Sequence, residues 1–114
     1  MSSDYYPAAR EQDVVEGRPL AVQLGGVNIV LCNVGGKIYA VRNVCSHDDG
    51  VLVGGTGEHS WGCLDGFAIE CPRHGARFDV RDGSVLSMPA AYPIAAYDVK
   101  VEDGMIYVKV NGDE

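Results

Sequence analysis

The chain has 114 residues, 16 acidic against 9 basic, a formal net charge of −7 and 46% hydrophobic residues. That length suits one small domain with a modest core of its own, and an acidic balance without any Lys/Arg run argues against nucleic acid and anionic membranes as partners. No apolar run nears the roughly 20 residues of a membrane span, and the N-terminus shows neither a basic-then-apolar signal layout nor a twin-arginine pair, so a cytoplasmic protein is expected.

Met1 to Gln12 is polar apart from Tyr5-Tyr6-Pro7 and reads as a segment that frays at its start and leads into the first strand. Pro19 to Leu24 and Val27 to Val34 read as β-runs joined through Gly25-Gly26, and Gly35-Gly36 leads on to Lys37-Ile38-Tyr39-Ala40-Val41. This is a three-strand meander, and no lasting i, i+3, i+4, i+7 pattern points to a helix. The glycine-rich stretch Gly50 to Gly62 reads as a loop or small hairpin. Phe67 to Cys71 and Ala76 to Val80 read as strands, Asp82-Gly83 as a turn, and Ser87 to Pro93 as irregular. The chain closes on a hairpin, Tyr97 to Glu102 and Met105 to Val110 about Asp103-Gly104. The expected fold is all-β.

Two short stretches, Cys45-Ser46-His47 and Cys71-Pro72-Arg73-His74, carry the chemistry, each at a change from strand to loop. In a reducing compartment, such cysteines are better spent on metal than on disulfides. Two thiolates and two imidazoles could hold a tetrahedral zinc, or a two-iron, two-sulfur cluster ligated by Cys₂ on one iron and His₂ on the other. The C-x-H spacing is an awkward bite for a single tetrahedral ion. It suits a cluster to which each loop sends its Cys to one iron and its His to the other, and a structural zinc module is the remote alternative.

C-S-H followed by C-P-R-H-G resembles the Rieske iron–sulfur proteins, specifically the soluble Rieske-type ferredoxins of ring-hydroxylating dioxygenase systems. The resemblance spans nearly the whole chain. It implies a stack of antiparallel sheets with a basal part (about 1–42 and 81–114) and a cluster-binding part (about 43–80) at one tip. It implies one [2Fe–2S] cluster held by Cys45, His47, Cys71 and His74, and a proline segment over the cluster, with Pro89 its candidate. Between the two motifs stand 23 residues (48–70), several more than is usual in the family, and the excess reads as an insertion at Gly50 to Gly62.

Two ferric ions, two sulfides and two thiolates sum to zero, so one electron takes the cluster to −1 rather than the −3 of a four-cysteine cluster. Rieske centres accordingly sit at roughly −150 to +300 mV against about −400 mV for plant-type ferredoxins. High-potential members carry two further cysteines in a disulfide near the cluster; Gly50 or its neighbours and Arg73 take that ground here. They also carry a Ser and a Tyr that donate to the cluster, and the matching positions are Ala76 and Phe78. Lacking both hydroxyls, the chain should have a midpoint near about −150 mV.

Other residues read more plainly. His59 is expected to be an exposed histidine, and Cys32 and Cys63 inert thiols, with a bridge between them left open. Asp48 and Asp49 read as a solvated acidic turn that could steer a basic partner. Arg73 and Arg77 flank the second ligand pair, free for a carboxylate, a partner or solvent. Trp61 packs the insertion down or docks.

Three histidines, two committed to the cluster, leave His59 alone to build the two-histidine, one-carboxylate iron site of an oxygenase. Dinucleotide, P-loop and nucleophile motifs are absent too. The resemblance therefore implies an electron carrier rather than an enzyme, taking electrons from a flavin-dependent reductase to a terminal oxygenase through transient contacts, most simply as a monomer. The alternatives are a Rieske protein of iron–sulfur cluster assembly and a relative of the nitrite-reductase small subunit.

Overall fold

In this computed structural model the described residues are 5–43, 63–70, 76–87 and 93–110, the side chain of Cys63 excepted. Their strands are β1 (Tyr5–Arg10), β2 (Leu20–Leu24), β3 (Val27–Val34), β4 (Lys37–Arg42), β5 (Cys63–Asp65), β6 (Ala68–Glu70), β7 (Arg77–Asp79), β8 (Val85–Ser87), β9 (Ala96–Tyr97), β10 (Val99–Glu102) and β11 (Met105–Lys109). They pair antiparallel into three sheets, ordered β1-β11-β10, β2-β3-β4-β9 and β5-β6-β7-β8. The all-β expectation holds, and the one helical piece among the described residues is a 3₁₀ turn, Glu11–Asp13.

The middle sheet is apolar on both faces, and this explains the stack. Along β3, alternate residues fall into different cores. Val30 and Cys32 join Ile69, Phe78 and Val80, which come from the β5–β8 side. Ile29 and Leu31 join Ile106 and Val108 of β11. Strand β4 divides likewise, with Val41 in the core shared with the β5–β8 side and Ile38 and Ala40 in the core shared with β11. A strand buried on both faces reads as a continuous apolar run rather than an alternation, as Ile29-Val30-Leu31-Cys32 does.

The expected hairpins form in tight register, with Leu24 opposite Val27, Val34 opposite Lys37 and Glu102 opposite Met105. At the last of these, Asp103 and Gly104 both take positive φ (53° and 77°), the geometry of a two-residue turn that matches strand twist.

Four features differ from the sequence reading. Val85–Ser87 forms β8, although Ser87 was expected to open an irregular segment. Tyr5–Arg10 is itself a strand, pairing from Tyr5↔Lys109 to Arg10↔Met105. Its partner is at the other end of the chain, so no local pattern announces it. The closing segment is broken at Asp98: Tyr97 pairs with Ala40 in the middle sheet and Val99 with Val108 in the outer one. Finally, Cys63–Asp65 forms β5, turning through Gly66-Phe67 onto β6.

Candidate metal centre

Cys45, His47, Cys71 and His74 lie outside the described residues, as do Asp48, Asp49, the stretch from Gly50 to Gly62 with His59 and Trp61, and also Arg73 and Pro89. What the structure describes is the frame from which the ligand stretches depart.

At the end of β4, the Arg42 N–H donates to the Ala95 carbonyl (2.9 Å) and the Asn43 N–H to the Asn28 carbonyl (2.8 Å). Asn43 is buried, so the chain is fixed two residues before Cys45. The second stretch departs from the β6–β7 hairpin, where Ile69 faces Phe78 and Glu70 faces Arg77. Cys71 follows Glu70 directly, and His74 precedes the fully buried Ala76 by two residues.

Val41, Ile69, Ala76 and Phe78 belong to one buried cluster. An extended residue covers at most about 3.3–3.6 Å. Cys45 is therefore within roughly 14 Å of Val41, and Cys71 and His74 within roughly 7 Å of Ile69 and Ala76. With three donors on such short tethers from one packed body and His47 two residues beyond Cys45, the four can converge. Their chemistry, two soft thiolates and two imidazoles, fits the Cys₂His₂ ligation of a two-iron cluster. Among the described residues, no group of three or more His, Cys, Asp or Glu side chains could hold a metal.

Around this frame the polar groups are paired. Arg77 Nε donates to Glu70 Oε1 at 3.1 Å, on the face of the β6–β7 pair away from Ile69 and Phe78. One turn on, Asp79 grips Arg81: Oδ1 accepts from the backbone N–H (2.9 Å) and Nε (3.0 Å), and Oδ2 from Nη2 (2.7 Å). These bonds hold the Asp79 carboxyl below the usual carboxylate range. The Arg81 guanidinium lies 4.0 Å from the centre of the Phe67 ring, which meets Tyr39 edge-on at 5.8 Å. The third sheet is thereby stapled to β4.

The turn after β7 makes the closest backbone approach. Gly83 has φ 79°, and the Ile94 N–H donates to its carbonyl at 2.9 Å. A Cβ built on Gly83 would lie 1.8 Å from the Ile94 oxygen. Only glycine fits there.

Ala76 and Phe78 are wholly buried among apolar side chains and bring no hydroxyl to this region. Cys32 is a free thiol, fully buried in the same core, and burial pushes its pKa up to about 12. Arg77 takes a carboxylate, one of the roles its position allowed. Sequence reading did not single out Glu70, Asp79 or Arg81. Alternation along Arg77-Phe78-Asp79 sets the two charged residues on the face opposite Phe78, whereas Arg81 lies in the turn beyond the strand, so its pairing with Asp79 carries no strand signal.

Comparison with known proteins bears on this frame. The Rieske [2Fe-2S] domain model matches residues 4–98. The ferredoxin component of the naphthalene 1,2-dioxygenase/salicylate 5-hydroxylase systems of Ralstonia sp is 37% identical over 110 residues, covering 96% of this chain and 99% of that one. Among solved structures, the ferredoxin of carbazole 1,9a-dioxygenase from Nocardioides aromaticivorans IC177 superposes with a TM-score of 0.84 at 32% identity, covering 96% of this chain and 100% of the other. A complex of reduced oxygenase and oxidized ferredoxin in carbazole 1,9a-dioxygenase contains a chain matching with a TM-score of 0.80 at 30% identity, over 95% and 94% of the two chains.

Proposed function

The chain belongs to the Rieske [2Fe-2S] domain family, and from that premise we propose that it is a one-electron carrier passing electrons from a flavin-dependent reductase to a terminal oxygenase. Cys45 and Cys71 hold one iron, and His47 and His74 the other. When bound, the cluster supplies one-electron chemistry, and the protein supplies its surroundings. Ala76 and Phe78 withhold hydroxyl donors, which favours the low end of Rieske potentials.

The observation that carries this reading is the common origin of the two ligand stretches in one buried cluster, Val41 with Ile69 and Ala76. Full-length likeness to a dioxygenase-system ferredoxin supports it over cluster assembly or a nitrite-reductase subunit. The related ferredoxin solved with its oxygenase supports a partner of that kind. We take the protein to act as a monomer in the cytoplasm, with a basal part of about 1–42 and 81–114 and a cluster-binding part of about 43–80. Among the described residues, no helix is long and apolar enough to cross a membrane.

Spectroscopy of the purified protein tests the centre. The expected sample is reddish-brown, contains iron and acid-labile sulfide, and gives a reduced EPR signal with an average g below that of four-cysteine clusters. Its midpoint should fall near about −150 mV, and a value well above zero would remove the ferredoxin-type assignment. The carrier role requires NADH-dependent reduction of the cluster by a dioxygenase-system reductase; a cluster inert to such reductases overturns it.

A further inference from the structure

We propose that Glu70 and Arg77 form a charge-compensated pair that sets the reduction equilibrium of the centre, each charge biasing it in the opposite direction. This rests on the ligand assignment above, and both residues act as positioning and tuning residues rather than ligands.

Glu70 is bonded directly to Cys71, and Arg77 follows His74 by three positions. The two face each other across β6 and β7 with Nε and Oε1 3.1 Å apart. Neither backbone is at a sheet edge. Glu70 is also in register with Cys63 of β5, and Arg77 with Ser87 of β8. Pinned on both sides, the two residues hold their charges at fixed points beside the entry and exit of the second ligand stretch.

Together the two charges nearly cancel. Removing one leaves the other uncompensated next to a ligand-bearing segment. An added electron is disfavoured by a lone carboxylate and favoured by a lone guanidinium. The Glu70 side chain is 32% exposed and that of Arg77 42%, so solvent weakens each effect to on the order of threefold in the reduction equilibrium constant.

The test is a redox titration of the full-length, cluster-loaded protein and its Glu70→Gln, Arg77→Gln, Arg77→Lys and Glu70→Gln/Arg77→Gln variants. Glu70→Gln should favour the reduced form about threefold and Arg77→Gln should disfavour it about threefold, each about 28 mV at 59 mV per tenfold for one electron. The double variant should return close to wild type, Arg77→Lys should stay there, and added salt should shrink both single shifts. A purely structural clamp predicts shifts of the same sign or none, and either result overturns the proposal. A wild-type protein without a Rieske signal would overturn the proposed function and this inference with it. A normal wild-type signal with unmoved variants overturns this inference alone.

Discussion

The two faces of β3 are alike in chemistry and unlike in consequence. Ile29 and Leu31 seal one face against Ile106 and Val108, in a core built from the two ends of the chain. Val30 and Cys32 seal the other with Ile69, Ala76 and Phe78. That second core ends within two residues of Cys71 and His74, whereas the first serves the stack alone. Loss of packing on the first face should cost stability only. Loss on the second should cost stability and also change the centre, because the same side chains fix where the ligand stretches begin.

The largest effect expected is at Gly83, which joins the third sheet to Ile94 in the second core. Gly83→Ala would place a Cβ 1.8 Å from a backbone oxygen at a positive φ of 79°. Neither atom belongs to a flexible side chain, so the backbone must move, at a cost of about 3 kcal/mol or more. Gly25→Ala is the control: its φ is 57° and its Cβ would meet nothing within 4 Å. Only the left-handed backbone term remains there, about 1–2 kcal/mol. Urea midpoints of the two variants should separate clearly, and equal losses would show that the Ile94 approach does not constrain the turn.

Next comes the comparison of the cores themselves. Phe78→Ala should cost about 3–5 kcal/mol and Ile106→Ala about 2–5 kcal/mol, since both side chains are fully buried. Their stability losses overlap, so the discriminating measurement is the EPR spectrum and midpoint of whatever folded protein remains. Phe78→Ala should broaden or shift them, and Ile106→Ala should leave them alone. A displaced spectrum in Ile106→Ala would dissolve the distinction between the faces.

How far the sequence could be read follows from the same layout. Gly25-Gly26, Gly35-Gly36 and Asp103-Gly104 announce hairpins because strand and partner are neighbours in the chain, and the meander and closing hairpin form where expected. Strand β1 was not legible: Tyr5–Arg10 shows no strand alternation and gains a partner only when Met105–Lys109 folds back from about a hundred residues away. The break at Asp98 is equally silent, because Tyr97 leaves the outer sheet for Ala40, a contact no local alternation encodes. At the centre, the proposed ligands Cys45, His47, Cys71 and His74 rest on residue types and their order alone, since all four lie outside the described residues, whereas the Glu70–Arg77 and Asp79–Arg81 pairs depend on register and turn geometry.

A smaller effect belongs to Asp79, a buried carboxylate at the end of β7. Arg81 lowers its carboxyl below the usual range, so the pair stabilises the fold at any pH above the ordinary Asp value of about 3.9. The contribution is lost as the pH falls through the lowered value. Asp82, lowered by its bond from the Ser84 N–H, acts in the same direction. Urea midpoints from pH 6 down to pH 2 should decline, and Asp79→Asn should be less stable at pH 6 with a shallower acid decline. An unchanged acid slope in that variant would assign the decline to other carboxylates.

The smallest effect tests how tightly the core beneath the ligand stretches is closed. Cys32 is fully buried and its thiol is pushed up to about 12 by burial. At pH 8 its thiolate fraction would be on the order of 10⁻⁴, and the thiolate is the nucleophile toward alkylating reagents. In the folded, cluster-loaded protein Cys32 should therefore resist iodoacetamide at pH 8 and react fully in denaturant, with peptide mapping separating it from the other cysteines. The rate of any slow labelling measures the opening of the second core. That rate should rise in Phe78→Ala far more than in Ile106→Ala, because only the first variant opens the wall that Cys32 shares with Ile69 and Ala76. Equal rates would mean that the two cores open together as one cooperative unit, and the two faces of β3 would then differ in what they adjoin but not in how they yield.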